Sequence, residues 1–103
     1  MDSRMKTARW REANLMQIFH AVAPRSMTWA EFKADVAAAW NRLVPIGTKV
    51  RYWSIALEDP SLLTETRSEA WILGHGQPVV KIEGRSGGVA IDHLQVVIEE
   101  SLP

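Results

Sequence analysis

The chain reads as α+β: two N-terminal helices packed on a five-stranded small β-barrel. Three observations predict this. Apolar residues recur at helical spacing as far as Leu43, the pattern changes after Pro45-Ile46-Gly47 to short β-type runs, and glycine-rich turns divide those runs. Five short strands need their edges managed, and curling into a barrel is the usual solution. The 103 residues divide into a helical element over 1–46 and a barrel over 47–103, expected to share one cooperative core.

The first helix is expected over 3–22, with Ala8, Leu15, Phe19 and Val22 in one stripe and Met5 and Ile18 flanking it. Pro24 ends it and pushes Ala23 out of the helical region. The second is expected over 28–43 and opens on the capping box Thr28-Trp29-Ala30-Glu31. Trp29, Phe32, Val36, Trp40 and Leu43 then fall on one face, and Ala34, Ala37, Ala38 and Ala39 add helix propensity without bulk. Met5, Met16 and Met27 are further possible starts, so part of the first 26 residues is a candidate for a loosely attached leader.

Strand-like runs follow at 48–55, 68–73, 78–83, 88–91 and 95–99. The breaks are Glu58-Asp59-Pro60-Ser61, Gly74-His75-Gly76-Gln77 and Gly84-Arg85-Ser86-Gly87-Gly88. Val80 and Ile82 share one parity, as do Val89 and Ile91, and are expected to point into a common core.

Gly47 to Glu99 resembles a Src-homology-3-like small barrel. A long first loop (Ala56 to Arg67), the runs Glu69-Ala70-Trp71-Ile72-Leu73-Gly74 and Pro78-Val79-Val80-Lys81-Ile82-Glu83-Gly84, and the ending Gly88-Val89-Ala90-Ile91-Asp92-His93-Leu94-Gln95-Val96-Val97 carry the likeness. It implies a five-stranded Src-homology-3-like β-barrel, on which the two N-terminal helices are expected to pack. The aromatic rails on which family members bind proline-rich ligands lack their tyrosine pair and acidic cluster here. The phrasing of Gly47 to Val97 also resembles small proteins carried by phages and prophages.

Composition narrows the functional classes. Twelve basic and 12 acidic side chains give a formal net charge of 0, which argues against a protein coating nucleic acid along its whole surface. There is no cysteine, so disulfide frameworks and cysteine-based zinc sites are excluded. No apolar run is long enough to span a membrane, and Met1 to Ala23 lacks the apolar core of a secretory signal, so the expected location is the cytoplasm.

Nothing nominates a catalytic, cofactor or metal site. His20, His75 and His93 have no second ligand at metal spacing. His20 sits on the polar edge of a helix, His75 lies between two glycines of a turn, and the adjacent Asp92 and His93 side chains are expected to point apart. There is no Gly-x-Ser-x-Gly elbow, and β-type runs follow the glycine clusters where phosphate loops require a helix. No enzyme is expected and no cofactor.

Five tryptophans are the unusual feature. Trp29 and Trp40 belong to the stripe of the second helix. Trp53 shares parity with Lys49 and Arg51, and Trp71 with Glu69, so both are expected to face away from the barrel core. Either the helices pack over them, or they form a binding surface in which Arg51, Arg67, Lys81 and Arg85 join Trp53 and Trp71, with Glu69 and Glu83 interrupting the charge. Residues 1–26 carry +3 and residues 47–103 carry −3. The basic helix, Arg4, Lys6, Arg9 and Arg11 with Trp10, offers contact to nucleic acid, to an acidic partner or to the chain's own acidic half.

The expected function is a cytoplasmic, non-catalytic protein-interaction module. The phage-like resemblance implies binding, and possible inhibition, of a host protein complex, in the manner of an anti-CRISPR protein. A nucleic-acid binder using the basic helix and a self-assembling virion component are the rival expectations.

Overall fold

A computed structural model of the chain describes residues 3–53 and 61–98, with side chains from residue 11 onward. Three helices come first, α1 (Ser3–Val22), α2 (Trp29–Ala34) and α3 (Val36–Leu43). Six strands follow among the described residues: β1 (Lys49–Tyr52), β2 (Leu62–Glu65), β3 (Trp71–Ile72), β4 (Pro78–Val80), β5 (Val89–Ala90) and β6 (Leu94–Val96). A 3-10 turn at Ile91–His93 separates the last two.

The single helix expected over 28–43 is two helices. Asp35, at φ −152° and ψ 86°, leaves the helical region, ends α2, and caps α3 by accepting the Ala38 N–H at 3.1 Å. Its short carboxylate offers the backbone an alternative to continuing the helix. At the start, the Thr28 half of the expected capping box is present, its hydroxyl accepting the Glu31 N–H at 3.1 Å.

The strands form two antiparallel three-stranded sheets, ordered β2-β1-β6 and β3-β4-β5. They meet at one corner, where Thr66 bridges Ile82, the Glu83 N–H donates to the Glu65 carbonyl at 3.0 Å and the Arg67 N–H to the Lys81 carbonyl at 2.9 Å. Among the described residues the sheets are not closed into the five-stranded barrel expected. Strands of two to four residues run out before a second seam forms, and after Ala90 the 3-10 turn carries the chain directly to the other sheet. β2 lies inside the stretch 56–67 expected as a loop. It is an edge strand with neither face fully covered, so its residues show none of the alternation by which a strand is read. Residues 56–60 of that loop lie outside the described residues, as do residues 54–55 at the end of the run expected over 48–55.

One core joins helices and sheets. Ile18, Phe32, Trp40, Val50, Val80, Ile82, Ile91 and Leu94 are each no more than 1% exposed. Val80 with Ile82 and Val89 with Ile91 reach it as their parity predicts. On α1 the buried centre is Ile18 with Asn14, where Ile18 was expected only to flank a stripe; Leu15, Phe19 and Val22 pack partly buried beside it. Phe19 holds α1 to α2 through ring contacts with Trp29 at 5.6 Å and Phe32 at 5.5 Å between centroids. The C-terminal half of α1 is therefore docked into the core.

Candidate functional site

The six residues expected to form one aromatic and cationic surface lie on three separate parts of the molecule. Arg51 and Trp53 belong to the outer face of the first sheet, both half-buried. Arg51 Nη1 donates to the Ser61 hydroxyl at 2.8 Å. Trp53 is held by its backbone: its N–H donates to the His93 carbonyl at 3.1 Å, and its carbonyl lies 2.8 Å from His93 Nδ1. A carbonyl only accepts, so Nδ1 carries the proton. His93 Nε2 stands 3.9 Å from Asp92 Oδ1. The 3-10 turn thus brings together two side chains expected to point apart, at a separation too long for a hydrogen bond.

Arg67, Lys81 and Arg85 gather at the corner where the sheets meet. Arg67 Nε donates to the Ile82 carbonyl at 3.0 Å and Nη2 to the Arg85 carbonyl at 3.4 Å, so this guanidinium ties β2 to the loop after β4. The Lys81 N–H donates to the Ser68 hydroxyl at 3.0 Å. The Arg85 guanidinium lies over the Tyr52 ring, 5.3 Å from its centroid, a contact that sequence spacing did not suggest.

Trp71 stands in the other sheet, on β3. It pairs with Val79, which is 2% exposed yet does not belong to the common core. Directly paired residues share a face, so Trp71 and Val79 lie on the side turned away from the helices. The Trp71 ring sits over Gly88, where a Cβ would come within 2.8 Å of Cη2 and 2.9 Å of Cζ2. Trp71 therefore neither hides under a helix nor stands free; it roofs Val79 and leaves 36% of itself in solvent.

Trp71 also begins a run. Trp71, Ile72 and Leu73 are 36%, 48% and 36% exposed, three consecutive apolar residues on the free edge of the second sheet. The Leu73 N–H donates to the Gln77 carbonyl at 2.9 Å. Residues 71 and 73 thus direct their main chain to β4, and residues 70 and 72 direct theirs outward. At Ala70 those outward groups are taken by α3: Asn41 Nδ2 donates to the Ala70 carbonyl at 2.9 Å and Asn41 Oδ1 accepts its N–H at 2.7 Å. Ile72, the next outward position, has no such cap among the described residues. Sequence reading singled out Trp71 but not Ile72 or Leu73, because a short run of three apolar residues looks the same in a buried strand.

Of the basic helix, Arg4, Lys6, Arg9 and Trp10 have side chains outside the described residues. Arg11 is described and faces inward along the surface, its Nε 3.8 Å from Asp92 Oδ2. That cation is turned to the chain's own acid.

No helix among the described residues is long and apolar enough to cross a membrane. No family model matches the chain, and neither a curated protein nor a solved structure matches it.

Proposed function

We propose that the protein is a non-catalytic interaction module that binds a protein partner through the exposed edge of β3. The exposed run Trp71-Ile72-Leu73 carries this reading. Edge strands in soluble proteins are ordinarily blunted by charge, proline or cover, and a run of three exposed apolar residues is unfavourable unless it is used. The fold adds support: the Asn41 clamp holds this edge in place, so the apolar surface is presented on a fixed element. The guanidinium groups of Arg51, Arg67 and Arg85 are engaged in internal contacts, while Trp53 and Lys81 are tied through their main chains and lie away from the exposed apolar run of Trp71, Ile72 and Leu73.

The finer reading of the fold as a Src-homology-3-like barrel belongs to this proposal. Its supports are the sheet orders, the corner bridge at Thr66 and Ile82, and the 3-10 turn before the last strand. A phage or mobile-element origin and inhibition of a host complex rest on the sequence resemblance alone, and a cytoplasmic location rests on the charge-rich composition of Met1 to Ala23.

Affinity capture from host lysate, with and without nuclease and at two salt concentrations, tests the proposal. A stoichiometric protein partner retained by the wild type and lost by Ile72→Lys, with the variant's circular dichroism unchanged, is the expected result. Recovery of nucleic acid alone, or of proteins that vanish with nuclease, would move the basic helix to the centre.

A further inference from the structure

A second strand edge lies on the opposite sheet, independent of β3. β6 pairs with β1 on one side only. The Val97 N–H donates to the Lys49 carbonyl at 2.9 Å and the Trp53 N–H to the His93 carbonyl at 3.1 Å, so residues 93, 95 and 97 face β1. Residues 94, 96 and 98 face away from it, toward α1. At Leu94 both outward groups are spent: Asn14 Nδ2 donates to its carbonyl at 2.7 Å, and its N–H closes the 3-10 turn on the Ile91 carbonyl. At Val96 neither main-chain group has a partner among the described residues. There the edge opens into a groove of about 410 Å³, lined by Gln17, His20 and Ala21 of α1 and by Gln95, Val96 and Ile98. Ile98 is 61% exposed.

We infer that this groove takes an extended peptide segment of a partner protein, added as a strand to β6 and walled on its far side by α1. The main chain specifies that class of occupant. An outward N–H and C=O on one residue of a strand edge are both satisfied by one antiparallel strand, and the volume falls in the range of ligand clefts, ~300–1,000 Å³. Ala21, Val96 and Ile98 provide apolar contact for alternate side chains of the incoming strand. Charge refines it. Among the described residues no carboxylate lines the groove, His20 stands on its wall, and Arg51 lies in register beside Gln95 with a neutral hydroxyl as its partner. An acidic side chain on the peptide is matched here, and a basic one is not.

The test uses the full chain and a synthetic library of nine-residue peptides alternating apolar and polar positions, each in a version with one glutamate and one with lysine at the same place. Binding of glutamate versions at least tenfold tighter than lysine versions is expected, with slowed amide exchange at Val96 and Ile98. Val96→Pro deletes the outward N–H without touching the β1 ladder, and Ala21→Trp fills the groove from α1; each is expected to weaken binding at least tenfold while amide exchange in β1 stays unchanged. Arg51→Glu is expected to reverse the glutamate preference. No binding by any peptide, or binding that protects β3 amides in place of β6 amides, overturns the inference. Loss of the β3 partner on Ile72→Lys with peptide binding intact would show that the two surfaces act separately.

Discussion

Asn41 on α3 makes both hydrogen bonds of a neighbouring strand to Ala70, accepting its N–H at 2.7 Å and donating to its carbonyl at 2.9 Å. One carboxamide thereby closes the upper end of the β3 edge and fixes the helical layer against the second sheet. Ala70 is buried but Asn41 is exposed and the two bonds are part-buried, so water replaces the lost carboxamide only in part. Asn41→Ala is expected to cost about 1–3 kcal/mol of unfolding free energy in a urea titration. Asn41→Asp should be no better, because a carboxylate still accepts the N–H but sets its second oxygen against the Ala70 carbonyl. A variant melting like the wild type would show that the clamp is dispensable.

Asn14 does the corresponding work for α1, donating to the Asp92 carbonyl at 2.8 Å and to the Leu94 carbonyl at 2.7 Å. It only donates here, so the chemistry of the replacement decides the outcome. Asn14→Ala is expected to cost about 1–3 kcal/mol, and Asn14→Asp more than that, since it places a charge against two carbonyl oxygens. Hydrogen exchange should show the α1 amides losing protection first. Equal stability of the alanine and aspartate variants would contradict this geometry.

These two asparagines mark where sequence reading stops. The second-helix stripe of Phe32, Val36 and Trp40 and the parity of Val80 with Ile82 were legible, because burial imposes a period on a helix or strand whatever its partner. Asn14 carries no hydrophobic signal, although it stands in line with Ile18 on the buried face. Its role depends on carbonyls 78 and 80 residues away, and no local pattern announces such contacts. β2 was missed for the opposite reason, since an exposed edge strand imposes no period. The candidate site was half legible: an outward-facing Trp71 follows from parity, while the exposure of Ile72 and Leu73 follows from which strand is left at the edge.

The helix break at Asp35 is a third point of control. Asp35→Ala removes the cap on the Ala38 N–H and is expected to destabilise the protein by about 1 kcal/mol. Asp35→Ser, which keeps a capping oxygen, should recover most of that loss in thermal melts. Full stability of the alanine variant would mean that α2 and α3 can run on as one helix without disturbing the packing of Phe32 and Trp40.

Gly88 lies beneath the Trp71 ring, and the space between them leaves no room for a methyl group. A Cβ there meets Trp71 Cη2 at 2.8 Å, Cζ2 at 2.9 Å and Val79 Cγ2 at 2.9 Å. Gly88 is not among the glycines with positive φ, so the constraint is one of space and not of backbone conformation. In Gly88→Ala the ring, already partly in solvent, is the element able to yield, and its displacement uncovers Val79. The expected cost is about 1–3 kcal/mol. In a background where the other four tryptophans are phenylalanine, and which is first shown to fold, the emission of Trp71 should shift to the red. Combining Gly88→Ala with Trp71→Ala removes two of the three close contacts, so the double variant should lose less than the two single losses added together. Strict additivity would place the ring elsewhere. If the β3 edge is the binding surface, Gly88→Ala should also weaken partner capture without any change at Ile72 or Leu73, because it moves the aromatic end of that run.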